Sequence, residues 1–110
     1  GVLMATSYLV LGQAVPTSGN SDLYTASAAT VVSTIAICNT TTSAATATVY
    51  VRKAAASAAT SNALVYQYTI PALTTQTFTL GITLASTDVI SVASGTSGAL
   101  TYHAFGSTIA

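Results

Sequence analysis

The chain has 110 residues, of which only 4% are charged: Arg52 and Lys53 against Asp22 and Asp88, for a net charge of zero. Globular proteins usually carry about 25% charged residues. Nucleic-acid binding as a primary role is excluded, because it draws on many Lys and Arg side chains. An anionic membrane surface is excluded too, since each basic residue contributes only about 1 kcal/mol there.

The length suits one small domain with its own core. The sole cysteine, Cys38, precludes an intrachain disulfide and reads as a small buried hydrophobe. Apolar runs such as "VVSTIAIC" fall well short of the roughly 18 residues of a membrane-spanning helix. Zero net charge combined with regularly spaced Val, Ile, Leu, Tyr and Phe argues for a folded chain over a disordered one.

Residues 1–6 open the uncharged stretch "GVLMATSYLV". It has no signal-peptide pattern, and these residues read as an N-terminal arm or leader remnant, with Met4 a plausible start. Residues 7–110 form the single domain. A first strand is expected near Ser7–Gln13, a turn at Pro16–Asp22 and a short strand near Leu23–Thr25. In "VVSTIAICN", Val31, Ile35 and Ile37 alternate with Val32, Thr34, Ala36 and Cys38, and Ser33 falls in the apolar row. In "ATATVYVRK", Ala47, Val49 and Val51 oppose Thr46, Thr48, Tyr50 and Arg52. The Ala-rich "RKAAASAATSNA" reads as a flexible hairpin loop, with one helical turn as the alternative.

"ALVYQYTIP" places Leu64, Tyr66, Tyr68 and Ile70 on one face before Pro71 stops the strand. "TQTFTLGITL" sets Phe78, Leu80, Ile82 and Leu84 against Thr77, Thr79, Gly81 and Thr83. "DVISVAS" follows, and "ALTYHAFG" puts Leu100, Tyr102 and Ala104 opposite Thr101, His103 and Phe105. Period-two alternation is the pattern of a half-buried sheet, and small polar or Gly-containing connectors separate the runs. The expectation is an all-β fold: a single antiparallel β-sandwich or jelly roll of seven or eight strands.

Catalytic chemistry is sparse. His103 is the only histidine and stands on the Thr101 side of its strand, as a surface or interface residue. No metal-ligand spacing exists, so no metal or cofactor is expected. Asp22 and Asp88 sit at turn and strand-start positions suited to backbone hydrogen bonds. "SGTSGA" lacks the spacing of a nucleophile elbow. The chain therefore reads as a non-enzyme. Tyr66 and Tyr68 read as core or subunit contacts, with a sugar platform as the alternative. Arg52 and Lys53 read as solubilising a strand end, or as orienting a partner by reaching an acidic group such as Asp22 or Asp88 of a symmetry mate.

Edge strands are normally guarded by charges, proline or bulges, and here charged guards are almost absent. A neutral, Thr-covered β-surface is prone to associate. Assembly is therefore expected, with Val2, Leu3, Tyr8, Arg52, Lys53, Tyr66, Tyr68 and His103 as candidate contacts.

The ordered fragments "LGQAVP", "LYTA", "VVSTIAICNTTTSAATATVYV", "TFTLGITLASTDVISVAS" and "LTYHAFGSTI" together resemble small Ala/Thr-rich structural proteins of tailed bacteriophages, including cyanophages. The resemblance runs from about Leu11 to Ile109 and rests on structural motifs. "YQYTIPALTTQTF" departs from that pattern, lacking acidic and Gly-Asn residues, and "FGSTI" has Thr108 in place of an acidic residue. The resemblance implies a virion protein of β-sandwich type, a capsid decoration (cement) protein on the outer surface of the capsid. Its implied partners are itself, as a homotrimer, and the major capsid protein. The alternative is a neck, tail or fibre module that contacts the host surface or its glycans.

Overall fold

The structure is a computed structural model that describes residues 6–109; Val2 and Leu3, and nearly all of the expected arm, lie outside them. Eight strands follow in chain order: β1 (Thr6–Ala14), β2 (Ser21–Thr25), β3 (Thr30–Asn39), β4 (Ala45–Arg52), β5 (Ala63–Ile70), β6 (Thr75–Leu84), β7 (Val89–Ser94) and β8 (Leu100–Ile109). They form two four-stranded sheets, β1-β8-β3-β6 and β2-β7-β4-β5. The expected antiparallel sandwich is borne out.

Its topology is that of a rolled hairpin. Strands β1 to β4 pair in reverse order with β8 to β5: β1 with β8, β2 with β7, β3 with β6 and β4 with β5, all antiparallel. Rolling this long hairpin adds two further antiparallel pairs, β3 with β8 and β4 with β7. The product is a jelly roll, in which each sheet takes strands from both halves of the chain.

Alternation fills the space between the sheets. Ile35, Ile37, Leu100, Tyr102 and Ala104 of the first sheet are buried, as are Ala47, Val49, Ile70, Ile90 and Val92 of the second. Each large aliphatic side chain among them contributes about 1.5–3 kcal/mol of burial. Two buried polar side chains then tie one sheet to the other. The Tyr102 hydroxyl on β8 donates to the Ala93 carbonyl at 2.6 Å and accepts from the Thr48 N–H at 3.3 Å. Asn39, at the end of β3, donates to the carbonyls of Ile70 (3.0 Å) and Ser43 (2.9 Å). Its Oδ1 accepts from the Thr41 N–H and hydroxyl at 2.9 and 2.7 Å. Every hydrogen-bonding valence of this amide is filled.

Three bulges change the facing expected from strict alternation. Ser33 is an extra residue between Val32 and Thr34 relative to β8. The phase of β3 switches there, so Val32, not Val31, joins Ile35 and Ile37 in the core, and Ser33 is exposed. On β6, Leu80 and Gly81 together oppose Ser33; Gly81 takes φ 61°, and Leu80 is left 45% exposed. On β5, Tyr66 and Gln67 bulge opposite Thr48, with Gln67 at φ 50° and its N–H bonded to the Thr48 hydroxyl at 3.1 Å.

Beyond that bulge Tyr68 pairs with buried Ala47 and meets Phe78 of the other sheet edge-on, ring centroids 5.5 Å apart. Tyr66 and Tyr68 therefore do not share a face, contrary to the sequence expectation. The Ala-rich segment is also less loose than expected. It makes two short 3-10 turns, Lys53–Ala55 and Thr60–Asn62.

Candidate functional site

All four charged side chains of the chain lie on the second sheet or its loops: Asp22 on β2, Arg52 ending β4, Lys53 just beyond it, and Asp88 just before β7. The register of β4 with β7 and of β7 with β2 brings Arg52, Ser91 and Asp22 together on one outer face. Arg52 Nη1 donates to Asp22 Oδ1 at 3.1 Å and to the Ser91 hydroxyl at 2.8 Å, and that hydroxyl donates to Asp22 Oδ1 at 3.0 Å. The remaining guanidinium donors reach the carbonyls of Ala56 and Ala55. Arg52 thus uses its fork within its own chain, to fasten the loop after β4 and to pair with Asp22, the residue that the alternative reading took from a symmetry mate. Such a half-exposed pair is worth about 1 kcal/mol or less.

Asp88 performs a second clamp. Its Oδ1 accepts from the Ala54 N–H at 2.8 Å and its Oδ2 from the Ala85 N–H at 2.9 Å. These two backbone donors, with nearby Lys53, hold its carboxyl below the usual aspartate range, against a smaller opposing effect of burial. Ala54 and Ala55 both sit at positive φ, 52° and 58°, a conformation disfavoured for residues with a Cβ. The Asp88 and Arg52 bonds are what hold that turn. Sequence pattern pointed to Asp88 as a backbone acceptor, but not to its partner 34 residues away.

The first sheet, by contrast, carries no charged residue on any of its four strands. On its outer side His103 stacks on Phe105, centroids 6.0 Å apart, and its Nδ1 accepts a 3.1 Å hydrogen bond from the Gln13 side-chain amide. His103 is half-buried there, beside no acidic group. Among the described residues no three His, Cys, Asp or Glu side chains group as metal ligands.

Exposed apolar side chains concentrate at the β1 end of this sheet. Tyr8 is 85% exposed, Val10 51% and Leu9 44%, and Ile109, close by at the β8 end, 39%. Tyr8, Leu9, Val10, Ser33, Phe105 and Gly106 line a shallow open concavity at the line of bulges. Tyr8 was expected from the sequence; Leu9, Val10 and Ile109 were not. The signal for the first two was the run "YLVL", where apolar residues occupy both faces of a strand in succession. A second shallow concavity, at the far end of the second sheet, is lined by Ala44, Ala45, Thr46, Thr69, Gly95 and Thr96.

Of the other expected contacts, Lys53 is exposed in the turn after β4 and Tyr66 stands 52% exposed on the β5 edge. Tyr68, 45% exposed, closes the rim against Phe78. The structure therefore does not gather the expected contacts at one place. Tyr8 and His103 belong to the first sheet, Arg52 and Lys53 to the second, and the tyrosines of β5 to the opposite rim.

No family model matches the chain, and no curated protein matches it. Among solved structures, a chain from the structure of infectious bursal disease virus (Gx strain) superposes with a TM-score of 0.48 at 11% identity. The match covers 97% of this chain and 31% of that one, so this chain spans less than a third of the viral chain's length.

Proposed function

We propose that the chain is a non-enzymatic structural protein of a phage virion, a capsid decoration protein that self-associates and bridges major capsid subunits on the outer surface of the shell. The observation that carries this reading is the division of the surface. One sheet holds all four charges, locked mainly into internal clamps; the other is uncharged and ends in an exposed apolar row. Such a body has adhesive surface and a packed core, and its grouped Asp22 and Ser91 are engaged by Arg52. Jelly rolls serve in viral capsids, lectins and cupins alike, so the topology is compatible with this reading and does not select it. The phage resemblance in the sequence does the selecting, and it sets three copies around a three-fold position as the expected arrangement.

The test is copy number. In purified virions, quantitative mass spectrometry against the major capsid protein should find the chain in a simple ratio to that protein, many copies per shell. A handful of copies per particle would overturn the decoration role. It would favour a neck, tail or fibre module, for which exposed Tyr66 offers a stacking surface for host glycans.

A further inference from the structure

We infer that two copies of this chain pair through the N-terminal half of β1, antiparallel about a two-fold axis, so that their first sheets join into one continuous sheet. The inference rests on the self-association proposed above and gives it a surface.

It follows from comparing the four sheet edges. An edge strand presents unpaired N–H and C=O groups, and proteins blunt such edges with short strands, charges, proline or bulges. β2 is five residues long, bulged between Asp22 and Tyr24, and charged at Asp22. β5 is broken by the bulge at Gln67. β6 is bulged at Leu80 and Gly81, and its unbroken half, residues 75–79, exposes threonines in place of apolar side chains. β1 differs: from Thr6 to Val10 its register with β8 is unbroken, and its one irregularity comes after Val10. That half reads "TSYLV", without charge, proline or glycine. Among the described residues no strand pairs with its outer side. β1 alone joins an unbroken half-strand to a run of exposed apolar side chains, Tyr8, Leu9 and Val10.

What fits an unguarded edge is another strand. With β2 and β5 blunted and β6 faced by threonines, the apolar edge available on a second copy is the same one, which makes the contact isologous and two-fold. Antiparallel pairing of "YLV" with itself sets aromatic and branched side chains opposite one another, the favourable class of cross-strand pair. An aromatic side chain covers about 150–250 Å². Tyr8, Leu9 and Val10, with the strand backbone, thus contribute toward the roughly 800 Å² per partner of a standard interface. The first sheet carries no charge to oppose the approach of an identical surface, so the contact should be insensitive to salt. A contact of this kind closes on itself at two copies. If three-fold contacts also form elsewhere on the molecule, the β1 pairs join those trimers into hexamers.

The experiment uses the purified full chain. Native mass spectrometry and light scattering, from low to high salt, should give a dimer or hexamer at every salt concentration. In a Cys38→Ala background, single cysteines replacing Tyr8, Leu9 and Val10 in turn should form disulfide-linked dimers at the positions nearest the axis. A cysteine replacing Thr79 on the β6 edge should not. Tyr8→Lys with Val10→Lys, which supplies the missing guard, should weaken pairing by about tenfold or more with an unchanged circular dichroism spectrum. A monomer or a trimer in solution would overturn the inference, as would cross-linking no better at β1 than at Thr79. A trimer would leave the decoration reading intact, because copy number on particles decides that separately. A dimer of a chain scarce on the shell would sink the decoration reading and leave this contact standing.

Discussion

Replacing Asn39 by aspartate changes two donors into an acceptor and almost nothing else. The amide nitrogen serves the carbonyls of Ile70 and Ser43, and Oδ1 serves Thr41. In Asn39→Asp both carbonyls lose the amide donor and face an oxygen, but only that of Ile70 is buried; Ser43 is exposed, and its carbonyl keeps the Thr41 hydroxyl within 2.9 Å. An orphaned buried acceptor costs about 1–3 kcal/mol, so the ionised variant should lose about that much. That is a sizeable part of the 5–15 kcal/mol expected for a domain. The pH dependence is diagnostic. A carboxyl set against carbonyl oxygens has its folded pKa raised above the ordinary value of about 3.9. The protonated form can donate one of the two missing bonds, so the deficit should be smallest below that pH and grow as pH rises through it. Urea unfolding followed by circular dichroism, variant against wild type at pH 7 and near pH 3.5, measures both quantities. A loss under about 1 kcal/mol at pH 7, or one that does not shrink on acidification, would refute this account of the clasp.

Three other outcomes are expected. Tyr102→Phe removes the hydroxyl that joins β8 to Ala93 and Thr48 and should cost about 1–3 kcal/mol, read as a lowered melting temperature with the fold retained. Asp88→Asn should remove an acid-labile element: the depressed Asp88 pKa supplies stability above the ordinary aspartate range, lost as pH falls through the folded value. The variant should be less stable than wild type at neutral pH, with the gap closing in acid, in paired pH-dependent melts. Gly106→Ala should destabilise through a clash, because a Cβ there would overlap the Val31 carbonyl oxygen and crowd Val32 at the β3 bulge; a melting temperature equal to that of wild type would count against it.

The sandwich was legible in the sequence because alternation is a local property, and on β4 and β8 it predicts the buried rows correctly. It failed where a residue was inserted. Ser33 showed only as a polar residue in the apolar row, and it takes the register against β8 and β6 to reveal the switch that buries Val32. Gly81 was a usable signal, since a lone glycine in a strand pattern often marks a bulge. Gln67 gave none, as its strained turn is held by the hydroxyl of Thr48 on a neighbouring strand. Charge pairing failed for the same reason. Arg52 and Asp22 are 30 residues apart, and only the rolled topology makes them neighbours.

That topology also decides what surrounds the open edge. Because β1 pairs with β8, Thr6 lies opposite Ile109, and the two ends of the described chain emerge side by side beside the apolar row. The loop at Lys53–Asn62 belongs to the second sheet, where the charges sit. A bulky folded domain fused ahead of β1 should therefore crowd the edge and push the chain toward monomer, whereas the same domain inserted among Ser57, Ala58 and Ala59 should leave association unchanged. Light scattering on the two fusions distinguishes them, and equal association by both would mean that self-contact lies elsewhere. The placement has a physical logic beyond the test. With the charges held chiefly in clamps on one sheet, the other is free to be adhesive without long-range repulsion. Bulges on β2 and β5, with the threonine face of β6, then leave β1 as the apolar edge, so that this contact closes at two copies instead of running on as a fibre.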